Sequence, residues 1–220
     1  EVGTMTAFIT YTMMIVMAFL MLTMISIMLP RAGVAADRID EVLKTEVSVN
    51  NSTDAVDAGR SKGVVRFNHV SFAYPEAEGK VLDDIDFEAS PGTTTAIIGS
   101  TGCGKSTLVN LIPRFFDVTE GSITLDGRDI RNITLESLRE NIGYVPQKGI
   151  LFSGTIADNI KYGQQEESDE DMLEAAEIAQ ATEFIEAKPD KYESQVAQGG
   201  NNVSGGQKQR LSIARAIARD

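Results

Sequence analysis

The first 30 residues form an apolar block unlike the rest of the chain. Between Val2 and Pro30 there is no charged residue, and Met, Ile, Leu, Phe and Thr dominate. A helix of about 25 such residues, rising about 1.5 Å each, exceeds the roughly 30 Å hydrocarbon core of a bilayer. A signal peptide would instead show a basic start, a shorter apolar core and a small-residue cleavage site. The pattern therefore predicts a transmembrane helix.

Two further patterns accompany this block. Five of its methionines recur at helical spacing and share one face: Met13, Met17, Met21, Met24 and Met28. Flexible methionines suit an adaptable wall along a substrate path, but helix packing or lipid contact is the favoured interpretation of the stripe. Basic residues follow the block, whereas only Glu1 precedes it. The positive-inside bias therefore places the rest of the chain in the cytoplasm.

The polar pattern after the block predicts three parts. Residues 31–46 keep helix formers with apolar positions at helical spacing, which indicates an amphipathic extension, so we assign 1–46 to the membrane helix and this extension. Residues 47–62 lack an apolar period and are rich in Asn, Ser, Asp and Gly, which is typical of a linker. A soluble domain is then expected at 63–220.

Short apolar stretches open this domain. Residues 64–67 and 69–73 predict two short strands or one bent strand, and 81–87 is a further apolar stretch before the Ser-Pro-Gly turn at 90–92. His69 lies in this region and is interpreted as a structural histidine rather than a metal ligand.

The net charge and the Cys and His content exclude several kinds of function and site. The formal net charge is −12, and a surplus of acidic residues argues against nucleic-acid binding, which uses clusters of Lys and Arg. All acidic residues except Glu1 lie after position 30, so the acidity belongs to the soluble part. A single Cys excludes an intrachain disulfide and fits a reducing compartment, and one His with one Cys cannot build a structural zinc site.

A phosphate-binding motif follows a β-branched segment. Residues 94–98 (Thr-Thr-Ala-Ile-Ile) predict a buried strand, and it runs into Gly99-Ser100-Thr101-Gly102-Cys103-Gly104-Lys105-Ser106, which matches G-x-x-x-x-G-K-[ST]. The glycines let backbone amides surround phosphate oxygens. Lys105 is expected to reach the β- and γ-phosphates of a nucleotide, and the Ser106 hydroxyl to bind Mg²⁺.

Cys103 has two interpretations. Cys103 beside Lys105 is either a reactive thiol or, as favoured, a small filler at a variable position of the motif. The following helix, from Ser106 to Ile112, is expected to end before Pro113.

A second motif identifies a family. Residues 201–210 read Asn-Asn-Val-Ser-Gly-Gly-Gln-Lys-Gln-Arg, and Ser204, Gly205 and Gly206 predict a helix start with free amides, a second anion site. The segment resembles the signature of ATP-binding cassette (ABC) proteins. The resemblance implies an α/β P-loop NTPase fold with a helical subdomain, preceded here by one transmembrane helix and incomplete at both ends.

The resemblance extends over 63–220 and assigns roles residue by residue. Tyr74 resembles the aromatic that stacks on adenine, Gln147 the glutamine that contacts Mg²⁺ and the attacking water, and 151–160 the exporter segment that faces the membrane domains. The nucleotide phosphates would lie on 99–107, including Thr107. Ser204, Gly205, Gly206 and Gln207 would bind the ATP held by a partner subunit. Gln198 departs from the family pattern, in which Glu is usual, and this weakens any role in communication near the signature.

As a whole, the resemblance implies an exporter half-transporter in a bacterial plasma membrane. Its cofactors would be ATP and Mg²⁺. Its partners would be a second ABC subunit, identical or different, and other transmembrane helices. A membrane-tethered nucleotide-binding regulator, or a degenerate subunit that does not hydrolyse ATP, is the alternative, and an importer-type ATPase is disfavoured because importers usually lack a membrane span in the same chain. In the family, the strand with the catalytic Glu and the later switch His follow the signature helix. The chain therefore looks truncated before that strand, and we expect it to bind nucleotide weakly and not to hydrolyse it.

The segment from Gln164 to Lys188 concentrates acidic residues: Glu166, Glu167, Asp169, Glu170, Asp171, Glu174 and Glu177. A metal or partner surface is one interpretation. The favoured one is a solvated amphipathic helix capped by Ser168, because acidic residues in a first turn complement the helix dipole. Its predicted apolar face consists of Met172, Leu173, Ala176 and Ala179.

Overall fold

The computed structural model describes residues 2–75, 77–163 and 168–218. The chain forms two compact units, Glu1–Ser48 and Val49–Asp220.

The first unit is a single helix, α1 (Val2–Lys44), which is long and apolar enough to cross a membrane by length and composition. It contains Pro30, which has no amide hydrogen to donate to the carbonyl one turn back. Hydroxyl side chains bond carbonyls of the preceding turn, as between Thr10 and Thr6 at 2.9 Å and between Thr23 and Phe19 at 2.9 Å. These bonds satisfy the hydroxyls within the helix, as an apolar environment requires. The predicted apolar helix is confirmed.

The second unit contains an antiparallel sheet in the order β2-β1-β3-β4. Its strands are β1 (Val65–Phe72), β2 (Leu82–Ala89), β3 (Glu120–Leu125) and β4 (Arg128–Asp129). β1 is bent, because its register with both neighbours shifts near His69, which has a φ of 48°. The His69 ring lies 2.7 Å from an Asp84 carboxylate oxygen, and this bond raises the pKa of His69. This contact agrees with a structural role for the histidine.

The helices and a small second sheet complete this unit. The helices are α2 (Lys105–Leu111), α3 (Leu135–Glu140), α4 (Ile156–Ile160), α5 (Asp169–Ile178), α6 (Thr182–Glu186) and α7 (Gly205–Ile217). The second sheet pairs β5 (Gly154–Thr155) with β6 (Gln195–Val196), and short 3-10 turns lie at Ile130–Asn132, Lys191–Glu193 and Gln198–Gly200. As predicted, α2 stops just before Pro113.

Two hydrophobic cores divide the second unit. One lies between the four-stranded sheet, α2 and α3, and includes Phe67, Leu111 and Ile123. The other lies among α4 to α7, and Ile156 and Leu211 are fully buried there. The second core is the helical subdomain that the resemblance implied. The phosphate-loop helix and the signature helix thus pack in different cores.

The segment predicted to be a linker is docked on the domain instead. Residues 49–62, here called the strap, belong to the second compact unit. Val56 forms an isolated parallel bridge with Ile133, and the Ala58 amide donates to the Ser137 hydroxyl at 2.8 Å. The Ser61 amide donates to the Asn141 side chain at 2.8 Å. Backbone groups make these contacts, so no apolar period marks them in the sequence.

Two predicted strands do not form. Residues 94–98 have no regular secondary structure, and Ile98 is 93% exposed although a buried strand was expected. Residues 142–145, for which the sequence also predicts a strand just before Gln147, are likewise irregular. A strand persists only when a neighbour satisfies its backbone groups, and within the described part of the chain no strand pairs with either segment.

The acidic segment contains the predicted helix. Ser168 caps α5 through reciprocal bonds with Asp171, and Met172 and Ala176 are buried. Leu173 was expected on the same apolar face but is 46% exposed. Glu166 and Glu167 lie outside the described residues.

A pair of leucine truncations tests the helical core. Leu211→Ala removes a fully buried side chain from α7, and we expect a loss of about 2–5 kcal/mol in local stability from the lost burial and the cavity. The matched Leu173→Ala change, on the exposed side of α5, should cost no more than about 0.5 kcal/mol. Hydrogen exchange of the α7 amides measures both. Equal effects of the two variants would contradict this packing.

Candidate functional site

The phosphate loop depends on glycine at its junction with α2. Gly104 precedes α2 with a φ of 91°, a left-handed conformation that side chains disfavour. A Cβ atom at this position would lie 2.8 Å from the Leu82 side chain and 3.1 Å from the Val81 carbonyl oxygen. The loop is therefore held closely against the start of β2.

Lys105 lies over this loop. Its ammonium group donates to the carbonyls of Gly99 at 2.8 Å and Ser100 at 2.6 Å, and it lies 3.5 Å from the Cys103 sulfur. Cys103 is exposed. The loop thus presents a cation and a thiol to the same space, beside the amides that the motif predicts as phosphate donors.

Two cavities bring the loop and Gln147 together. One, of about 370 Å³, is lined by Val81, Thr101, Gly102, Gly104, Lys105, Ser106, Thr107 and Gln147. The other, of about 660 Å³, shares Lys105, Ser106 and Gln147 and also touches Asn110 and Tyr144. Lys105, Ser106 and Gln147, more than 40 positions apart in the sequence, therefore line the same two cavities.

Asn110 and Tyr144, which the sequence analysis missed, connect α2 to the segment that carries Gln147. The Tyr144 hydroxyl donates to the Asn110 side chain at 2.7 Å, and the Tyr144 ring meets the Phe115 ring edge-on at 5.4 Å between centroids. Nothing in the local pattern marks this pair, because the contact spans 34 residues.

The donor set suits a magnesium ion bound together with phosphate. The Ser106 hydroxyl and the Gln147 amide are oxygen donors on one cavity, and Mg²⁺ favours a few oxygen ligands completed by water and phosphate. Within the described residues no group of three or more His, Cys, Asp or Glu is arranged to hold a metal by itself. Ser106 and Gln147 would therefore suit an ion that takes its remaining ligands from water and phosphate.

Tyr74 is tied to the phosphate-loop helix. Its hydroxyl lies 3.0 Å from the Thr107 hydroxyl, and its ring meets those of Phe72 and Phe116 edge-on. The structure thus places Tyr74 beside α2 and partly within the sheet core.

The signature begins at a well-defined helix start. Ser204 caps α7, because its hydroxyl accepts from the Gln207 amide at 3.3 Å and its own amide donates to the Gln207 side chain at 3.1 Å. The Asn202 side chain holds the preceding loop by bonds to Ala197 and Gln195. Gln198 is exposed in this loop. The described residues lining the two cavities include none from 204–207.

Arg215 joins the signature helix to the segment after Gln147. It donates to the carbonyls of Asn159 at 2.7 Å and Ile150 at 3.0 Å, and it packs against the stacked rings of Phe152 and Tyr162. Burial lowers the pKa of the Arg215 guanidinium from its usual value. Asn159, almost fully buried, also bonds Phe152 and Thr155. Neither Arg215 nor Asn159 was singled out from the sequence, although Asn159 lies within the 151–160 segment.

Known proteins place this arrangement in a family. The family model for ABC transporters matches residues 82–220. An uncharacterised ABC transporter ATP-binding protein of Mycobacterium bovis is 49% identical over all of this chain and 38% of its own length. An ATP-dependent lipid A-core flippase of Nitrosococcus oceani is 42% identical over all of this chain and 37% of its own length.

Two further proteins are similar over most of the chain. A β-(1→2)glucan export ATP-binding/permease protein of Rhodopseudomonas palustris is 47% identical over 81% of this chain and 30% of its own length. The structure of a bacterial Atm1-family ABC exporter with ATP bound matches with a TM-score of 0.79 and 34% identity, over 91% of this chain and 35% of that one. The chain thus spans less than two fifths of the length of each of these proteins. The chain belongs to the ABC transporter family.

Proposed function

We propose that this chain is part of an ATP-driven exporter, in which nucleotide held at the phosphate loop powers transport across a membrane. The meeting of Lys105, Ser106 and Gln147 around shared cavities carries the proposal. The helix α1, long and apolar enough to span a bilayer, supports a membrane location with the second unit in the cytoplasm. Relatives named as an exporter and a flippase support the direction of transport.

Different residues of the site would contact different parts of the nucleotide. The amides of 99–107 and the Lys105 ammonium would bind phosphate oxygens, and Tyr74 would contact the adenine. Ser106 and Gln147 would hold Mg²⁺, which neutralises phosphate charge when bound. Backbone amides with one lysine suffice to bind a small polyanion despite the net charge of −12, because local geometry dominates at short range.

The signature would act on a second subunit. A helix start with free amides is an anion site, and α7 begins at Gly205 outside the cavities of its own chain. A Cβ atom added at Gly205 or Gly206 would meet nothing within 4 Å in this chain. Both glycines therefore leave room for a group from outside the chain, which we assign to the nucleotide held by a partner ABC subunit.

Replacement of Lys105 tests the phosphate site. Lys105→Ala in the full-length protein should lower ATP turnover about 100-fold or more, because the change removes the cation aimed at the transferred phosphoryl group. The control is Lys191→Ala, which removes a lysine that pairs with Glu186 on the surface. ATP hydrolysis in lipid nanodiscs measures both. Comparable turnover by Lys105→Ala and the control would contradict the assignment.

A mixing experiment tests the signature. Gly205→Asp should abolish turnover by repelling the partner's phosphates, while Gly205→Ala keeps the fold, because space for a Cβ is available. A mixed dimer of Lys105→Ala and Gly205→Asp subunits would retain one intact composite site. We expect coexpressed subunits to recover activity that neither variant shows alone, measured as ATP hydrolysis. Activity no higher than that of the separate variants would argue against a site shared between two copies of this chain.

The 220-residue chain alone is expected to turn over ATP negligibly. Within the described residues, the lining of both cavities contains no carboxylate to activate water. Phosphate release by purified 1–220, beside a parallel ATP-binding assay, measures this. Sustained turnover that Lys105→Ala abolishes would overturn the expectation.

A further inference from the structure

The strap meets the end of the phosphate-loop helix at one buried arginine. Arg114 follows α2 by a few residues and its side chain is only 5% exposed. One guanidinium nitrogen, Nη2, donates to the Asn50 carbonyl at 3.1 Å. Asn50 belongs to the strap and lies a few residues after the end of α1 in the sequence.

The same guanidinium is held in a fixed orientation. Its Nε and Nη2 atoms donate to the two carboxylate oxygens of Asp117 at 2.6 and 3.1 Å, and Nη1 reaches the Arg131 carbonyl at 3.5 Å. A planar guanidinium paired in this forked way has little freedom to swing. The guanidinium is therefore fixed between Asp117 and the Asn50 carbonyl of the strap.

The backbone at this turn is also constrained. Arg114 has a φ of 53°, a left-handed value that is strained for a residue with a side chain. Arg139 on α3 donates to the carbonyl of Pro113 at 3.1 Å and to that of Arg114 at 3.2 Å. Such a conformation persists only where the surroundings determine it, and here α2, α3 and the strap converge.

α2 connects this turn to the phosphate loop. The helix has seven residues, so it is about 10 Å long, and Leu108 and Leu111 fix it in the sheet core. Lys105 and Ser106 lie at its first turn, and the Pro113–Asp117 turn follows its end. A phosphate that draws the Lys105 ammonium from the Gly99 and Ser100 carbonyls changes the forces on this short, rigid helix.

The rest of the strap is fastened to the Ile130–Asn132 turn and to α3, the elements that also contact the Arg114 turn. Val56 bonds to the turn, Ala58 to α3 and Ser61 to Asn141 just after α3, and Asp57 accepts from Ser137 at 2.7 Å. The Gly59 amide and the Ser137 hydroxyl lower the pKa of Asp57, so it stays an anionic acceptor at neutral pH. On the strap's other side, Arg128 donates to the Asp57 carbonyl at 3.1 Å.

We infer that Arg114 is a positioning residue that couples nucleotide at the phosphate loop to the strap, and thereby to the chain segment that continues from the membrane helix. The inference rests on the proposed function, because it needs nucleotide at Lys105. Arg114 donates to the backbone carbonyl of Asn50 in the strap, so the coupling does not depend on the identity of a strap side chain.

Hydrogen exchange in the full-length protein, in lipid nanodiscs with and without Mg²⁺ and the non-hydrolysable analogue AMP-PNP, tests this coupling. In the wild type, the amides of Val56, Ala58 and Ser61 should exchange at least about fivefold more slowly with the analogue bound than without it. In Arg114→Met the analogue should still bind, but the slowing should vanish. Arg114→Lys keeps the positive charge but loses the paired guanidinium bonds to Asp117. This variant should show only part of the nucleotide-dependent slowing.

Arg128→Met is the matched control, since it also removes an arginine bond to a strap carbonyl but lies away from α2. It should keep the nucleotide-dependent slowing. A merely structural role for Arg114 would raise exchange equally with and without the analogue. If the analogue binds to the wild type but does not slow exchange of the strap amides, the inference is wrong while the proposed function stands. This outcome does not depend on whether Arg114→Met folds. Failure of the wild type to bind the analogue overturns the proposed function and the inference together.

Discussion

The close contact between the phosphate loop and the start of β2 is the constraint on which the site depends. Gly104 makes it possible, because its left-handed backbone and missing side chain let the loop lie against Val81 and Leu82. From that point α2 enters the sheet core, and its first turn presents Lys105 and Ser106 to the cavities. The geometry that suits a nucleotide phosphate thus follows from packing on the sheet.

Separate cores hold the two segments that we propose as phosphate contacts, the phosphate loop and the signature. The phosphate loop is built on the sheet core, and the signature on the helical core with Leu211 and Ile156. The Gln147 segment links the two: Tyr144 bonds Asn110 on α2, whereas Arg215 on α7 holds the carbonyl of Ile150. The Gln147 segment therefore contacts helices of both cores.

Structural features that depend on residues close together in the sequence could be predicted from the sequence. The apolar helix α1, the end of α2 before Pro113, the capped start of α5 and the position at which α7 starts all follow from patterns within a few residues. The meeting of Gln147 with Lys105 came from the family resemblance rather than from the sequence pattern. Contacts set by distant partners were missed. The strap was predicted to be a linker, because its backbone bonds to Ser137 and Asn141 produce no periodic pattern of apolar residues. Residues 94–98 have the composition of a strand but pair with no strand among the described residues.

Chemical labelling of Cys103 tests the central claim, nucleotide binding at this loop, without altering the protein. Its exposed sulfur lies 3.5 Å from the Lys105 ammonium. The rate of its alkylation by a small maleimide, followed by mass spectrometry of the peptide that contains it, should fall as Mg²⁺ and ATP are added and reach a plateau at saturation. A rate that stays unchanged at ATP concentrations that saturate the protein would place the nucleotide elsewhere and contradict the account.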